Sequence, residues 1–457
     1  MVKAWVHAPA VWLVSAVAVT VAAGSGPVLA QTRPSNALFT ETRPDPARGQ
    51  RLDVTLSSSG GYDKDSSFED RGLGGIGLQR PAGQSALLTA HVNYALLGRR
   101  TQFRATAAST TRYYGSLDSV LHSANDDASH ATAVGFLFHT PATSFVVNQT
   151  ANYASSLQYS FLPDTGVITP GAGPPATADY GLSDSEIYTY TSAAEYTRRL
   201  TPRNFVSGAA GWEHSDIVAG GAANRRLNVY KGRAGLTHHA GRNLTALAGY
   251  VVRTGDVAAG RLVPYGQVLD EHGAEFGLDY RRPLSATRGF MMQVRIGGSM
   301  IQLPAAIDPE GTGRRDQRYQ QFSGELTTTY DFARTWQAAG SVRRGLEYVS
   351  GLGEPVLADS ITARIDGLLA RRVDVRMSTA YSAGESALSR AASLFNTYAA
   401  NLRVRYGLTR TWATYVEYLY YFYDSRGTLA LVPGLPPRFA RNGVRAGVML
   451  RVPAVGK

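Results

Sequence analysis

The sequence predicts an all-β protein: a transmembrane, up-and-down antiparallel β-barrel of about 18 strands, with 16 inside the boundary error. Three observations predict it. After residue 50, runs of about ten to fifteen residues alternate apolar and polar, and each run meets a turn and then a matching run. The turns alternate between short and long. No helical pattern elsewhere offers a core for the apolar faces. Ala86, Leu88, Ala90, Val92, Tyr94 and Leu96 share one face, and Ser85, Leu87, Thr89, His91, Asn93 and Ala95 the other, because successive side chains of a strand point to opposite faces. With no core to meet, the apolar face points to lipid and the polar face to a water-filled interior.

Residues 1–30 read as a secretory signal peptide. Lys3 is the basic start, Val11 to Ala23 the apolar stretch, and Val28-Leu29-Ala30 a small-x-small cleavage site before Gln31. The apolar stretch falls short of the ~20 residues a helical span needs. Residues 31–50, with Pro34, Pro44 and Pro46, form a short periplasmic lead-in, and the barrel occupies 51–453. The chain has no cysteine, which fits a barrel that its own hydrogen-bond ladder closes. Mean hydropathy is −0.16 and no segment after residue 30 has 18 consecutive apolar residues, so helical spans are excluded, yet 44% of residues are hydrophobic. A barrel reconciles the two, since half of each strand can be polar. Net charge is +11, and all but Lys3, Lys64, Lys231 and Lys457 of the 46 basic residues are arginines. They fall singly on polar faces and in turns rather than in one stripe, which argues against nucleic acid.

The candidate strands are 51–59, 85–96, 101–113, 130–138, 144–160, 186–198, 204–214, 226–238, 243–254, 269–281, 289–302, 317–331, 335–349, 357–370, 373–382, 394–407, 411–424 and 438–453. Short connections carry Arg, Pro, Thr and Gly, as in Thr140-Pro141-Ala142, Leu200-Thr201-Pro202-Arg203 and Leu408-Thr409-Arg410. Long ones, such as 60–84 and the Pro- and Gly-rich 161–185, carry Gly, Ser, Asp and Pro. Short periplasmic turns and long extracellular loops are the asymmetry of an outer-membrane barrel. Tyr280 and Phe290, Tyr330 and Trp336, and Tyr406 and Trp412 flank short turns, where amphipathic rings settle at the lipid–water boundary. A propeller would instead repeat four short strands per blade.

Tyr406-Gly407-Leu408-Thr409-Arg410-Thr411-Trp412 and its echo Tyr330-Asp331-Phe332-Ala333-Arg334-Thr335-Trp336 resemble periplasmic turns of Gram-negative outer-membrane barrels. The run from Asn442 to Pro453 resembles the last strand of bacterial β-barrel porins. The resemblance covers the chain from about residue 50 and implies an outer-membrane location, contact with lipid and lipopolysaccharide, and folding by the barrel assembly machinery. Many such barrels end in an aromatic residue that this machinery reads. This sequence runs on through Ala454 to Lys457, so Val452 or Leu450 would serve instead.

Parity assigns the faces. Trp336, Ala338, Val342, Leu346 and Tyr348 are expected to meet lipid, as are Ile361, Ile365, Leu402, Val404, Val416 and Val444. The residues expected to line the pore are Arg104, Arg295, Glu325, Arg343, Arg364, Asp366, Asp374, Arg376, Arg403, Arg405, Glu417 and Arg445. A mixed wall with a basic excess favours anions modestly. The same charges can instead pair across strands and hold the wall. Barrels of 16–18 strands leave an aqueous channel, so the expectation is a porin-like channel for passive diffusion of small hydrophilic solutes, with a lean toward anions. Alternatives are an export or assembly barrel for an anionic polysaccharide and a structural barrel with a closed pore. Loop 161–185 either folds inward, as third loops of general porins do, or stays outside. A homo-oligomer stays open.

No enzyme, cofactor or metal is expected. Gly72, Gly74 and Gly77 match G-x-G-x-x-G but lack a strand–turn–helix setting. Asp63, Asp65, Glu69 and Asp70 lack the spacing of a calcium loop, and His238-His239 lacks a third ligand. No nucleophile elbow is present.

Overall fold

The computed structural model describes residues 49–65, 83–114, 126–155, 185–219, 225–258, 267–285, 287–303, 317–348, 355–386, 394–426 and 438–456. The signal peptide, most of the lead-in, loop 161–184, the glycine motif at 72–77 and the acidic residues 69 and 70 lie outside them.

Eighteen strands form one antiparallel sheet. They are β1 (Gly49–Asp65), β2 (Gly83–Leu97), β3 (Thr101–Tyr114), β4 (Asp126–His139), β5 (Thr143–Ala154), β6 (Ser185–Arg199), β7 (Asn204–Ala219), β8 (Arg225–His239) and β9 (Leu244–Ala258). The second half holds β10 (Gln267–Pro283), β11 (Gly289–Leu303), β12 (Gln317–Asp331), β13 (Gln337–Glu347), β14 (Val356–Ala370), β15 (Val373–Ser386), β16 (Leu394–Gly407), β17 (Trp412–Arg426) and β18 (Arg438–Gly456). Each strand pairs with its neighbours in sequence, and β1 pairs with β18 to close the barrel. Number and order match the alternation. Lengths differ at both rims: β1 begins at Gly49 at the turn rim, inside the expected lead-in, and runs to Asp65 at the loop rim, where β5 ends at Ala154. Alternation weakens there because strands that rise past the lipid need no apolar face.

The short turns share a local device. Thr143 N–H donates to Thr140 Oγ1 at 3.0 Å, Asn204 N–H to Thr201 Oγ1 at 3.0 Å, Arg288 N–H to Ser285 Oγ at 3.1 Å and Trp412 N–H to Thr409 Oγ1 at 2.9 Å. A hydroxyl three residues before the next strand thus accepts an amide that no ladder partner reaches. Pro141 and Pro202 follow two of these residues, where their fixed φ suits the turn.

The outer surface carries apolar side chains in alternate positions. Leu88, Phe136, Trp212, Phe276, Ile296, Val342, Leu402 and Val416 are all exposed to the outside, as a lipid-facing band requires. Aromatic pairs mark its lower edge: Tyr280 and Phe290 lie 6.3 Å apart, and Phe332 sits between Tyr330 (5.9 Å) and Trp336 (6.1 Å). Further up, Tyr381, Tyr398 and Phe422 form a column at 4.7 and 5.8 Å, capped by Arg438 over Phe422 at 5.4 Å. A closed antiparallel barrel with this band satisfies its backbone without water, which only helices and closed barrels can do in lipid. The chain is a transmembrane β-barrel of the outer-membrane type.

One junction departs from the regular pattern. β12 pairs with β11 along its whole length, but with β13 only from Gly324–Arg344 down to Asp331–Gln337. Above that point the end of β13 turns inward. Leu346, expected in lipid, is 2% exposed and packs on Leu269 of β10 and Ile301 of β11, with Tyr319 and Tyr348 against the same cluster. Leu269, Ile301 and Tyr319 alternate with the outward Val268, Met300 and Phe322, so they belong to the inner wall. The outer face of β13 therefore lies against the inner face of β10–β12, and the wall overlaps itself like a scroll. Parity placed Leu346 and Tyr348 correctly on the outer face of their strand. It could not tell that this face meets protein instead of lipid.

Candidate functional site: the lumenal wall

Strand register assembles the charges. Asp366, Arg376, Arg403, Glu417 and Arg445 occupy one row across β14–β18. In the adjacent row Asp374 faces Arg405, and Arg405 faces Tyr415. These residues alternate with exposed Ile365, Met377, Leu402, Val404, Val416 and Val444, so all turn inward.

Most of the charges are engaged. Arg405 Nε donates to Asp374 Oδ1 at 2.8 Å, and its Nη2 reaches the other carboxylate oxygen. Both residues are buried, so this bidentate pair serves the wall. Arg364 Nε donates to Asp366 Oδ1 at 2.7 Å. Arg343 Nη2 meets Glu347 Oε1 at 2.9 Å. Asn401 Nδ2 donates to Glu417 Oε1 at 2.7 Å. Arg295 Nη1 holds Asp279 Oδ1 at 2.5 Å, while Glu325, beside Arg295 in register, is exposed. Arg445 is 4% exposed. Arg104 stands apart on β3, between Ala95 and Gly135 in register.

Arg376 and Arg403 differ from the rest. They are direct cross-strand partners and only partly buried. Among the described residues, neither guanidinium has a hydrogen bond or a carboxylate within ion-pair distance; Glu417, opposite Arg403, is held by Asn401. Like charges directly opposite each other on a sheet are destabilising. An anion between them would relieve that repulsion.

Earlier strands add charge pairs of their own. Lys231 Nζ meets Glu213 Oε2 at 2.8 Å, and Arg233 Nε meets Glu275 Oε1 at 2.5 Å. His238 and His239 point to opposite faces and bond separately, His238 to Asn204 at 2.7 Å and His239 to Thr245 at 2.8 Å.

Tyr415, Tyr421 and Tyr423 also face inward, with Phe395 and Thr397 on β16. Tyr421, Tyr423, Phe395 and Thr397 are 0% exposed. The inner surface toward the loop rim of β16 and β17 is thus packed, not open water. These tyrosines are not among the residues expected to line the pore; period-two parity in 411–424 is the signal that could have placed them inside, but aromatic richness reads first as a lipid-facing belt.

No family model and no curated protein matches the sequence. Among solved structures, OpdQ of Pseudomonas aeruginosa is 11% identical with a TM-score of 0.41, the alignment covering 89% of this chain and 98% of that one. OccAB2 of Acinetobacter baumannii is 9% identical with a TM-score of 0.43, covering 88% and 98%. The FrpB iron transporter from Neisseria meningitidis is 7% identical with a TM-score of 0.44, covering 90% and 82%. Likenesses this distant carry no inference about solute or mechanism.

Proposed function

We propose that this barrel is a passive channel for small hydrophilic solutes and that it favours anions. The observation that carries the reading is the Arg376–Arg403 pair: two adjacent guanidinium groups on the inner wall, flanked in register by Asp366 and Glu417, whose carboxylates are engaged by Arg364 and Asn401 and not in contact with them. Groups so placed raise the local concentration of small anions and lower the barrier to their passage. Nothing in the sequence supplies a transport energy source. The packed inner surface around Tyr421, Tyr423 and Phe395 favours a second reading, a structural barrel whose pore is closed.

Planar-bilayer recording under a salt gradient tests both. Stepwise conductance with a reversal potential on the anion side is expected, more so at low salt, where screening is weak. Arg376→Gln with Arg403→Gln should move the reversal potential toward cations without lowering the folded fraction. Channels that keep their selectivity in this variant would refute the anion site. Absence of any conductance step from folded protein would favour the closed barrel.

A further inference from the structure

The overlap between β13 and β10–β12 has two features that ordinary wall packing does not explain. The first is its lining. Leu269, Ile301 and Leu346, with Tyr319 packed against them, form a buried apolar cluster beside the Arg253–Glu271 ion pair. β12 and β13 part above Gly324 and Arg344. That point is seven residues up β12 from Asp331 at the turn rim, or about 18 Å for a tilted strand, within an apolar band about 25 Å tall. The break in pairing therefore lies near the outer part of the hydrocarbon, beside the exposed Phe322.

The second feature is a set of buried polar atoms along the same overlap. Tyr348 OH, Arg253 Nε, Ser299 Oγ and Gln321 Nε2 are buried without a hydrogen-bond partner, as are the carboxylate oxygens Glu271 Oε2 and Glu347 Oε1. The first four can donate, and the two carboxylate oxygens can only accept. Register puts Arg253 and Glu271 in the row of Ile301 and Tyr319, with Ser299 and Gln321 in the next inward-facing row. Arg253 already steadies the overlap: its Nη1 donates to the Leu346 carbonyl at 2.6 Å and lies 3.5 Å from Glu271 Oε2. Tyr348 lies against Gly255, where any Cβ would run into its ring. Buried donors without acceptors are rare in native proteins. Four such donors against two carboxylate oxygens leave donors in excess, and the excess calls for an acceptor from outside.

We infer that the overlap is a lateral binding site for a single-chain amphiphile with an acidic head. Arg253 and Tyr348 take the head; Ile301, Leu269 and Tyr319 take the alkyl chain, which displaces Leu346 and runs out between β12 and β13 toward the bilayer. A purely polar solute gains nothing from the apolar cluster, and an uncharged head offers Arg253 and Tyr348 weaker acceptors than a carboxylate does. The site is separate from the Arg376–Arg403 pair, so each stands or falls alone.

The test uses the full barrel in nanodiscs of zwitterionic phosphatidylcholine, titrated with a dansyl-labelled undecanoate whose fluorescence rises on burial. Saturable binding is expected, competed by undecanoate but not by acetate or by an undecyl-trimethylammonium ion. Arg253→Gln should weaken binding about tenfold or more, equal to a loss of about 1.4 kcal/mol. Leu346→Trp crowds the cluster without removing a charge and should weaken it similarly, while Val444→Ala on the opposite lipid face should change nothing. Folding is checked by heat-modifiable migration; should Arg253→Gln fail it, Leu346→Trp decides. Unsaturable uptake, equal competition by the cationic chain, or unchanged binding in Leu346→Trp overturns the proposal. Reversal potentials recorded on the same preparations report on the anion channel independently.

Discussion

Two junctions of this barrel invert what chain connectivity suggests. β1 and β18 meet across a sequence separation of 398 residues at Asp53 and Arg451, yet pair from Arg51 to Asp65 with one bulge. β12 and β13 are joined by a short turn, yet part after Gly324. The difference lies in what each inner face holds. At the closure, Asp53 is 5% exposed and ion-paired to Arg51 at 2.5 Å and to Arg451 at 3.0 Å, and glycines at 61 and 447 let the strands' inner faces come close. At β12–β13, the inner wall beside the junction holds Leu269 and Ile301. Left facing water, each would forgo about 1.5–3 kcal/mol of burial. Each backbone hydrogen bond given up along the parted strands is worth about 0.5–1.5 kcal/mol net. The terms are of one order, so the end of β13 is balanced between two positions, while the closure is not.

The largest effect should come from crowding the closure. A Cβ at Gly447 would meet the Ser58 carbonyl and lie 2.6 Å from Ser59 Cβ. Gly447→Val should therefore leave little or no heat-modifiable folded band. Gly324→Ala, where the new methyl meets nothing nearer than 3.5 Å, should fold like the parent. Equal folding of the two would mean that the junctions are equally tolerant. Next comes Asp53→Ala, which removes the carboxylate between Arg51 and Arg451. Leaving buried cations without it should lower unfolding free energy in urea by about 3–5 kcal/mol. Glu347→Ala, at the overlap, frees an Arg343 whose side chain is 30% exposed; its cost should stay within about 0–1 kcal/mol.

Strand number, order and facing were legible because alternation and turn chemistry are local. Leu402 and Arg403 show it: adjacent residues, one exposed to the outside and one turned inward, as period two requires. Arg405 and Arg403 show the limit. Both read as pore-lining arginines, but only register reveals that Asp374 lies opposite one and Arg376 opposite the other. Leu346 marks a deeper limit. Its environment depends on whether β13 follows β12 to the rim, and that turns on residues in β10 and β11 which no local pattern around 346 reports.

Intermediate effects test facing within the regular wall. Leu402 is 41% exposed and five residues from the turn at Gly407, near mid-membrane. Leu402→Arg should cost about 2–4 kcal/mol, whereas Arg403→Gln should stay within about 0.5 kcal/mol, both read as urea midpoints in lipid vesicles. Similar costs would shift the register of β16 by one.

A small structural effect separates the balanced junction from the fixed one most sharply. At Gly255 a methyl group would run into the ring of Tyr348. The obstacle is the far end of a side chain on the overlapping strand end, not backbone, so it can move. Gly255→Ala should push Tyr348 and the tip of β13 off the inner wall while leaving the pairing from Gly324 to Asp331 intact. Unfolding free energy should fall by only about 1 kcal/mol, the scale of a small overpacking strain. Single-channel conductance should rise, because the tip narrows the lumen from inside. Tyr348→Ala removes the same ring without strain and should raise conductance further. If both variants keep the parent's conductance, the overlap does not limit passage and the narrowest point lies elsewhere. If instead Gly255→Ala unfolds the barrel as Gly447→Val is expected to, then the tip of β13 is as firmly fixed as the closure, and the balance argued from Leu269 and Ile301 fails.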